Sequence, residues 1–239
     1  MLQADCAWNS IQPDRARYAC EYESGLGLGY VSVRFLTKGA VNNMHKKLIL
    51  VTSPPACGKT YVSRLLSKRL DHVVYLDKDT LIVLSKQIFK VANQPYDRSS
   101  EFFQKYIRDA EYECIVDLAL EALDYDDLVL INAPFTQEVR DNHYIHALKR
   151  RLAAKGATLA VVWVMADVET VHRRMIQRNS DRDTWKLEHW DEYVKTQDYS
   201  IPENLNSPDA VGRLLIVDNN SNESLEESMI RVLAELQET

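Results

Sequence analysis

Short apolar runs alternate with helix-patterned stretches along the chain from Lys46 onward. Each run is continuous rather than alternating, which is typical of strands that helices cover on both faces. The pattern therefore predicts an α/β fold with a five-stranded parallel sheet and helices on both faces. The five runs are LILV (48–51), VVYL (73–76), LVLI (128–131), LAVVWVM (159–165) and LLIV (214–217).

Two of the stretches between these runs have the spacing of amphipathic helices. The first covers residues 60–70, directly after the first run. The second, SSEFFQKYIRDAEYECIVDLALEAL (99–123), begins with serines that suit a helix N-cap, and it predicts one long helix. The apolar positions of the first helix are Tyr61, Val62, Leu65, Leu66 and Leu70.

Residues 1–43 differ from the rest of the chain. They contain a glycine cluster, SGLGLGY, scattered aromatic residues and no sustained period. GLGLG does not match a dinucleotide-binding fingerprint, because no apolar strand precedes it and no clear helix follows it. Two interpretations stay open: an irregular extension, or an upstream segment added by a wrong choice of start codon before Met44. We expect a single domain at residues 44–239.

Composition limits the classes of function. The 239 residues carry 29 basic and 35 acidic side chains, a net charge of -6, which argues against a general nucleic-acid binder. No window approaches the roughly eighteen apolar residues of a membrane span, so we expect no membrane role. The four cysteines show no paired metal spacing, which suits a reducing cytoplasm.

The first strand leads into SPPACGKT (53–60), which ends as a phosphate-binding loop ends. Strand, loop and helix N-terminus aim backbone N–H groups at one point, which favours a densely charged anion. We expect Lys59 to reach the outer phosphates of ATP and the Thr60 hydroxyl to bind Mg²⁺. The residues predicted to bind the nucleotide here are Ser53, Ala56, Cys57, Gly58, Lys59 and Thr60.

Two residues of this loop raise questions. Ser53 stands where glycine is usual, but its side chain is small, so we expect the loop to keep its shape. Cys57 has two interpretations: a small space-filling residue, or a thiol whose pKa is lowered by the helix dipole and Lys59.

Two carboxylates follow the second strand in YLDKDTL (75–81). Asp77 and Asp79 lie at the carboxyl end of a parallel strand, where ligands bind in open α/β sheets. A hydroxyl that attacks a γ-phosphate needs a base, and the metal needs oxygen ligands. One aspartate could serve each need, and the residues leave open which of the two serves as the base and which serves the metal. Asp79 as an N-cap for the next helix is a further interpretation.

The third strand ends LVLINAPF (128–135), with Asn132 where an ATP-hydrolysing protein would carry an aspartate. An amide cannot supply negative charge around magnesium and its water. This favours a kinase over a mechanical ATPase.

After the fourth strand, Arg174, Arg178 and Arg182 recur every four residues. They would line one helical face, within a lid of about residues 167–200, if the helix continued through Asn179 and Ser180. Such a row would wrap the transferring phosphate and exclude water. The alternative is a solvated helix face whose arginines pair with nearby carboxylates. Those carboxylates are Asp181, Asp183 and Glu188.

Five pieces in one order resemble P-loop kinases of the zeta-toxin and polynucleotide-kinase type, relatives of chloramphenicol phosphotransferase and of the shikimate and gluconate kinases. The resemblance implies the P-loop nucleotide kinase fold of the AAA-like P-loop NTPase superfamily, with a helical lid and a helical acceptor-binding insert. The pieces are SPPACGKT, LDKDTL, INAPF, QRNSDRD and VDNN.

The resemblance also implies roles for individual residues. Asp79 would act as the base toward the acceptor hydroxyl. Arg178 would lie near the adenine, and Arg182 would contact phosphate. Asn219 and Asn220 would lie beside the adenine base of the nucleotide.

One departure limits the acceptor. Polynucleotide kinases of this type carry an arginine shortly after the catalytic aspartate, whereas DTLIVL (79–84) has none. We therefore expect no extended nucleic acid as a partner. The polar residues of the insert that are candidates for acceptor contacts are Tyr96, Arg98, Tyr106, Arg108 and Glu111.

Together these features predict a cytoplasmic phosphotransferase, a monomer or homodimer, that uses ATP and Mg²⁺. It would move the γ-phosphate to a hydroxyl of a small molecule or nucleotide. The predicted catalytic residues are Lys59, Asp79 and Arg182, and the predicted metal ligands are Thr60 and Asp77. Two alternatives stay open: a regulatory NTPase without an acceptor, and a polynucleotide 5′-hydroxyl kinase.

Overall fold

A computed structural model describes residues 46–180, 183–205 and 213–237 of the chain. The predicted extension of residues 1–43 lies outside these ranges, and so does Arg182. The roles expected of both stay predictions.

All five apolar runs form strands of one parallel sheet. Strand β1 is central, and the sheet order is β2-β3-β1-β4-β5. The predicted α/β fold class is therefore confirmed. The strands are β1 Lys46–Thr52, β2 Val73–Asp77, β3 Leu128–Asn132, β4 Ala157–Met165 and β5 Arg213–Asp218.

Helices cover both faces of the sheet. One face carries α4 and α5, whose apolar side chains pack on β1 and β3 in one core. The other face carries α1, α6 and α9 in a second core. No helix within the described residues is long and apolar enough to cross a bilayer. The helices are α1 Lys59–Arg69, α2 Ile82–Val91, α3 Glu101–Tyr106, α4 Arg108–Ala122, α5 Asn142–Ala153, α6 Val168–Arg178, α7 Thr184–Glu188, α8 Trp190–Thr196 and α9 Asn222–Gln237.

The strand register brings the candidate residues to one edge of the sheet. Asn132 at the end of β3 lies opposite Val51 of β1 and Asp77 of β2. Because the strands are parallel, the loops that follow them all leave from this edge, where open α/β sheets bind their ligands.

The stretch predicted as one long helix is two helices, so that prediction was wrong in part. The Ser100 side chain accepts a hydrogen bond from the Phe103 N–H at 3.2 Å, as expected of an N-cap. The helical geometry breaks at Ile107, between α3 and α4. Tertiary packing accounts for the break: Phe103 and Ile107 form a small core with Phe89 of α2, whereas α4 packs on the sheet.

The helix that carries Arg174 ends earlier than a continuous arginine row requires. Asn179 adopts a left-handed conformation, with φ of 43°, and its N–H bonds back to the carbonyls of Met175 and Ile176. Asparagine tolerates this conformation and ends helices in this way. The helix does not continue through Asn179, and the predicted row is interrupted after Arg178.

Candidate functional site

The loop between β1 and α1 has the backbone shape of an anion-binding loop. Ala56 and Gly58 both have positive φ, 64° and 95°. Such turns gather successive N–H groups into a concavity that accepts an anion. A left-handed alanine costs on the order of 1–2 kcal/mol, and backbone strain of this kind concentrates at functional sites. The buried Ser53 hydroxyl donates a hydrogen bond to the Pro54 carbonyl at 2.8 Å, so its donor has a partner within the loop.

Two side chains hold this loop from behind, at the carbonyl of Cys57. Asn219, in the loop after β5, donates its amide N–H to that oxygen at 2.7 Å, and Arg174 of α6 donates at 3.3 Å. Arg174 also donates to the Asn219 carbonyl at 2.6 Å, and burial lowers its pKa. Asn219 is itself buried. Arg174 and Asn219, which we call the rear wall of the loop, therefore fix the position of the Cys57 carbonyl.

A buried amide at the end of β3 connects the end of β2 with the first turns of α1. Asn132, only 1% exposed, accepts a hydrogen bond from Lys59 Nζ at 2.6 Å. Its amide nitrogen donates to Asp77 Oδ2 at 2.9 Å and to Thr60 Oγ1 at 3.4 Å. The hydroxyl of Ser63 donates to the same Asn132 oxygen at 3.1 Å. The structure thus brings together the predicted lysine, threonine and first aspartate of the site.

The two aspartates after β2 have different surroundings. Asp77 accepts the Asp79 N–H on Oδ1 at 3.0 Å and the Tyr75 hydroxyl on Oδ2 at 3.2 Å. Asp77, and not Asp79, therefore caps the short 3₁₀ turn Lys78–Leu81. Asp79 is exposed, and its carboxylate has no hydrogen-bond partner among the described residues. Its backbone is anchored while its side chain is available to a ligand.

The oxygen atoms around Asn132 fit a magnesium ion. Thr60 Oγ1 and Asp77 Oδ2 both lie within hydrogen-bonding reach of the same amide nitrogen. The described residues contain no cluster of three His, Cys, Asp or Glu side chains that could enclose a metal. A hydroxyl and one carboxylate suit Mg²⁺, which keeps waters and binds nucleotide phosphates in such sites.

Cys57 does not have a reactive thiol. Its side chain is fully buried, and burial raises the pKa of the thiol to about 11. Of the two interpretations, the space-filling residue fits the structure. The contribution of Cys57 to the loop is its backbone carbonyl.

The arginines after β4 are engaged with protein groups. Arg178 donates from Nε at 2.8 Å and from Nη2 to Oδ2 of Asp183, which is fully buried and also pairs with Lys186 at 3.4 Å. For Arg178 the structure shows the paired arrangement that the sequence left as the alternative. Asn220 accepts the Asp167 N–H at 2.7 Å and donates to Asp218 at 2.8 Å, and its expected place beside the adenine base stays a prediction.

The insert after β2 is organised by one buried carboxylate, Glu111 of α4. It accepts two hydrogen bonds from Arg98, at 2.7 and 2.8 Å, one from Lys78 at 2.5 Å, and one from Ser85. Burial alone would raise the pKa of Glu111, but these donors outweigh it and hold the pKa at about 2. Arg98 and Glu111, both predicted as acceptor contacts, are thus bound to each other.

The other insert candidates also contact protein groups. Arg108 pairs with Glu138 and, at 2.9 Å, with Asp109. Tyr96 packs its ring edge-on against Phe89, and Tyr106 packs on Phe102. Tyr96 and Tyr106 keep much of their surface exposed and stay candidates for an acceptor.

Sequence reasoning missed two roles in this region. It placed Arg174 in a row that faces phosphate, whereas this side chain holds the Cys57 carbonyl. It named Glu111 as a candidate for acceptor contacts, whereas this side chain is only 5% exposed and binds protein groups. The spacing of Glu111 from Ile107 and Ile115 on one helical face was the available signal for its burial.

Comparisons with known proteins agree with the fold. The sequence profile of the AAA domain family matches residues 48–198. A candidate kinase from Chloroflexus aurantiacus J-10-fl is similar in structure, with a TM-score of 0.53 and 20% identity over 81% of this chain and 97% of that one. The protein APE1195 has a TM-score of 0.53 and 19% identity over 81% and 96%. These similarities show a shared fold. No curated protein sequence matches the chain significantly.

Replacing Gly58 with alanine tests the shape of the loop. A Cβ at Gly58 would come within 2.2 Å of the Asn219 amide nitrogen, and φ of 95° is unfavourable for alanine. We expect Gly58→Ala to weaken ATP binding at least tenfold in a calorimetric titration. The control is Gly156→Ala, which has φ of 65° but open space around the new methyl group. It should lower the free energy of unfolding by about 1 kcal/mol and leave ATP binding unchanged. Equal ATP affinity for both variants would contradict this account.

The buried Glu111 predicts a pH dependence of stability. The pKa of Glu111 is about 2 in the folded chain, against an ordinary value of 4.5. The contribution of its ion pairs to the free energy of unfolding is therefore complete above pH 4.5 and is lost as the pH falls toward 2. We expect Glu111→Gln to lower the free energy of unfolding by about 3 kcal/mol at pH 7 and by clearly less at pH 3. Urea denaturation at both pH values measures this. Glu113→Gln, on the exposed side of the same helix, is the control and should change little.

Proposed function

Because this chain belongs to the AAA domain family of P-loop NTPases, we propose that it binds ATP and transfers the γ-phosphate to a hydroxyl group of an acceptor molecule. The observation that carries the proposal is the pair of aspartates after β2. Asp77 belongs to the network around Lys59, and Asp79 presents an exposed carboxylate directly beside it. A protein that only hydrolyses or senses ATP does not need a second, unengaged carboxylate at this point.

The loop and Lys59 bind the triphosphate in this proposal. The concavity formed at Ala56 and Gly58 presents backbone N–H groups to phosphate oxygens. Lys59, at the first position of α1, exchanges its hydrogen bond with Asn132 for contact with the outer phosphates. Positive charge at this point stabilises the charge that develops on the phosphoryl oxygens during transfer.

Asp79 orients the attacking alcohol. The acceptor oxygen forms a bond to the γ-phosphorus while the bond from that phosphorus to the β,γ-bridging oxygen breaks. The proton of the hydroxyl passes to the Asp79 carboxylate, and ADP leaves with the bond's electron pair. The backbone N–H of Asp79, bound to Asp77, keeps the carboxylate at a constant position relative to the phosphate site.

Thr60 and Asp77 would hold Mg²⁺, and Asn132 fixes both of their oxygen-bearing side chains. The ion, when bound with the nucleotide, neutralises charge on the β- and γ-phosphates. Asn132 contributes an oriented amide and no charge of its own to this arrangement.

The acceptor class that we propose is a small molecule or a nucleotide. The candidate kinase from C. aurantiacus shares the fold and supports phosphotransfer as the general activity. By resemblance, Arg178 and Arg182 would contact the adenine and the phosphates. For Arg178 this requires exchange of its ion pair with Asp183.

Changing Asp79 to asparagine tests the proposed reaction. Incubation of the full-length protein with ATP, Mg²⁺ and pooled metabolites and nucleotides should reveal an acceptor that stimulates ADP formation. Asp79→Asn should reduce transfer to that acceptor at least a hundredfold, because an amide cannot take the proton, while ATP affinity stays within about twofold.

Asp71→Asn is the matched control, because Asp71 is an exposed aspartate before β2, at the opposite end of that strand. It should retain full activity. ATP loss that no acceptor pool stimulates would contradict the proposal and favour a regulatory NTPase. Retained transfer by Asp79→Asn would remove Asp79 as the base.

A further inference from the structure

A cleft of about 510 Å³ opens between α4 and α5, on the face of the sheet opposite α1. Its walls include Tyr112 and Val116 of α4, and Tyr144 and Leu148 of α5. None of the residues of the phosphate site, which are Lys59, Thr60, Asp77, Asp79 and Asn132, lines this cleft. The cleft is open to solvent on one side and has room for a small organic molecule.

The lining of this cleft is negatively charged. Four acidic residues and two arginines line it, which leaves a surplus of two negative charges. The arginines are already engaged, Arg108 with Asp109 and Glu138, and Arg151 with Asp117. The four acidic residues are Asp109, Glu113, Glu138 and Asp141.

Glu138 has an unmet hydrogen-bonding requirement. Its side chain is 8% exposed, and Oε1 accepts a hydrogen bond from Arg108. Oε2 is buried and has no hydrogen-bond partner within residues 46–180, 183–205 and 213–237. Buried carboxylate oxygens without a donor are rare in folded proteins and indicate a missing water, ion or ligand. Because Glu138 is one of the residues that line the cleft, a donor bound there would supply the missing hydrogen bond.

Two tyrosine rings flank this carboxylate. The guanidinium of Arg108 lies 4.6 Å from the centre of the Tyr112 ring, so that face already binds a cation. Tyr144, half-buried on α5, contributes the other ring, and burial together with Glu138 raises its pKa. Aromatic faces beside a carboxylate favour a cation that also has an apolar body.

We infer that the cleft between α4 and α5 is a second ligand site, which binds a small organic cation. Its ammonium group donates to Glu138 Oε2, and its apolar part lies against Val116, Ala147 and Leu148. Charge selects the class: an anion would meet the surplus of carboxylates, and a neutral molecule would leave that surplus uncompensated. This inference is independent of the proposed phosphotransfer.

Benzylammonium and benzyl alcohol, which have nearly the same shape, test the inference by calorimetric titration of the full chain at pH 7. Benzylammonium should bind saturably and benzyl alcohol should not. Glu138→Gln should weaken benzylammonium binding at least tenfold, because the amide keeps the shape and removes the charge. Glu113→Gln, an exposed carboxylate of the same cleft, should weaken binding less than twofold. Ala147→Phe, which places a large ring in the cleft, should abolish binding even if Glu138→Gln fails to fold.

Three outcomes would overturn the inference. The first is no saturable binding of benzylammonium. The second is equal binding of the alcohol. The third is unchanged binding by both Glu138→Gln and Ala147→Phe, which would indicate only nonspecific attraction to an acidic protein. Retained ATP binding in both variants is expected, since the cleft shares no residue with the phosphate site.

Discussion

The candidate site depends on one side chain, the buried amide of Asn132. Its oxygen holds Lys59, and its nitrogen holds Asp77 and reaches Thr60, so a single planar group sets the relative positions of three chain segments. A carboxylate here would attract Lys59 more strongly and would repel Asp77 in the same buried space. Asn132 at the end of β3 and Asp77 at the end of β2 are therefore complementary: Asp77 supplies the negative charge of the site, and Asn132 supplies a neutral amide.

A second buried group, Glu111, relates the insert to this site. It binds Lys78, the neighbour of Asp79, and also Arg98 and Ser85 from two parts of the insert. One carboxylate on the helix that packs against the sheet thus anchors both the turn that carries the proposed base and the segment expected to contact the acceptor. A buried ion pair can fix a geometry that apolar packing alone would leave variable, and we expect the pair of Glu111 with Lys78 to do so for the turn that carries Asp79.

The sequence predicted the sheet and the phosphate loop, because continuous apolar runs and a Gly-Lys-Thr after a strand depend on local pattern alone. It did not predict the break at Ile107, because this break depends on which core the side chains of α3 join. It did not predict the end of α6 either, because the helix ends at a single left-handed residue, Asn179. It also could not decide between the two interpretations of the arginines. Asp183, which the sequence offered as a nearby partner, binds Arg178, but the partner of Arg174 is the Cys57 carbonyl, which lies far along the chain.

The rear wall of the phosphate loop explains how the loop is shaped without the usual first glycine. A peptide unit is planar and trans, so the carbonyl of Cys57 and the N–H of Gly58 point in opposite directions. Arg174 and Asn219 both hold that carbonyl on the outer side of the loop. The N–H of Gly58 is consequently directed to the inner side, where phosphate would bind. The orientation of this donor rests on α6 and on the loop after β5, which lie far along the chain, and not on the residue at position 53.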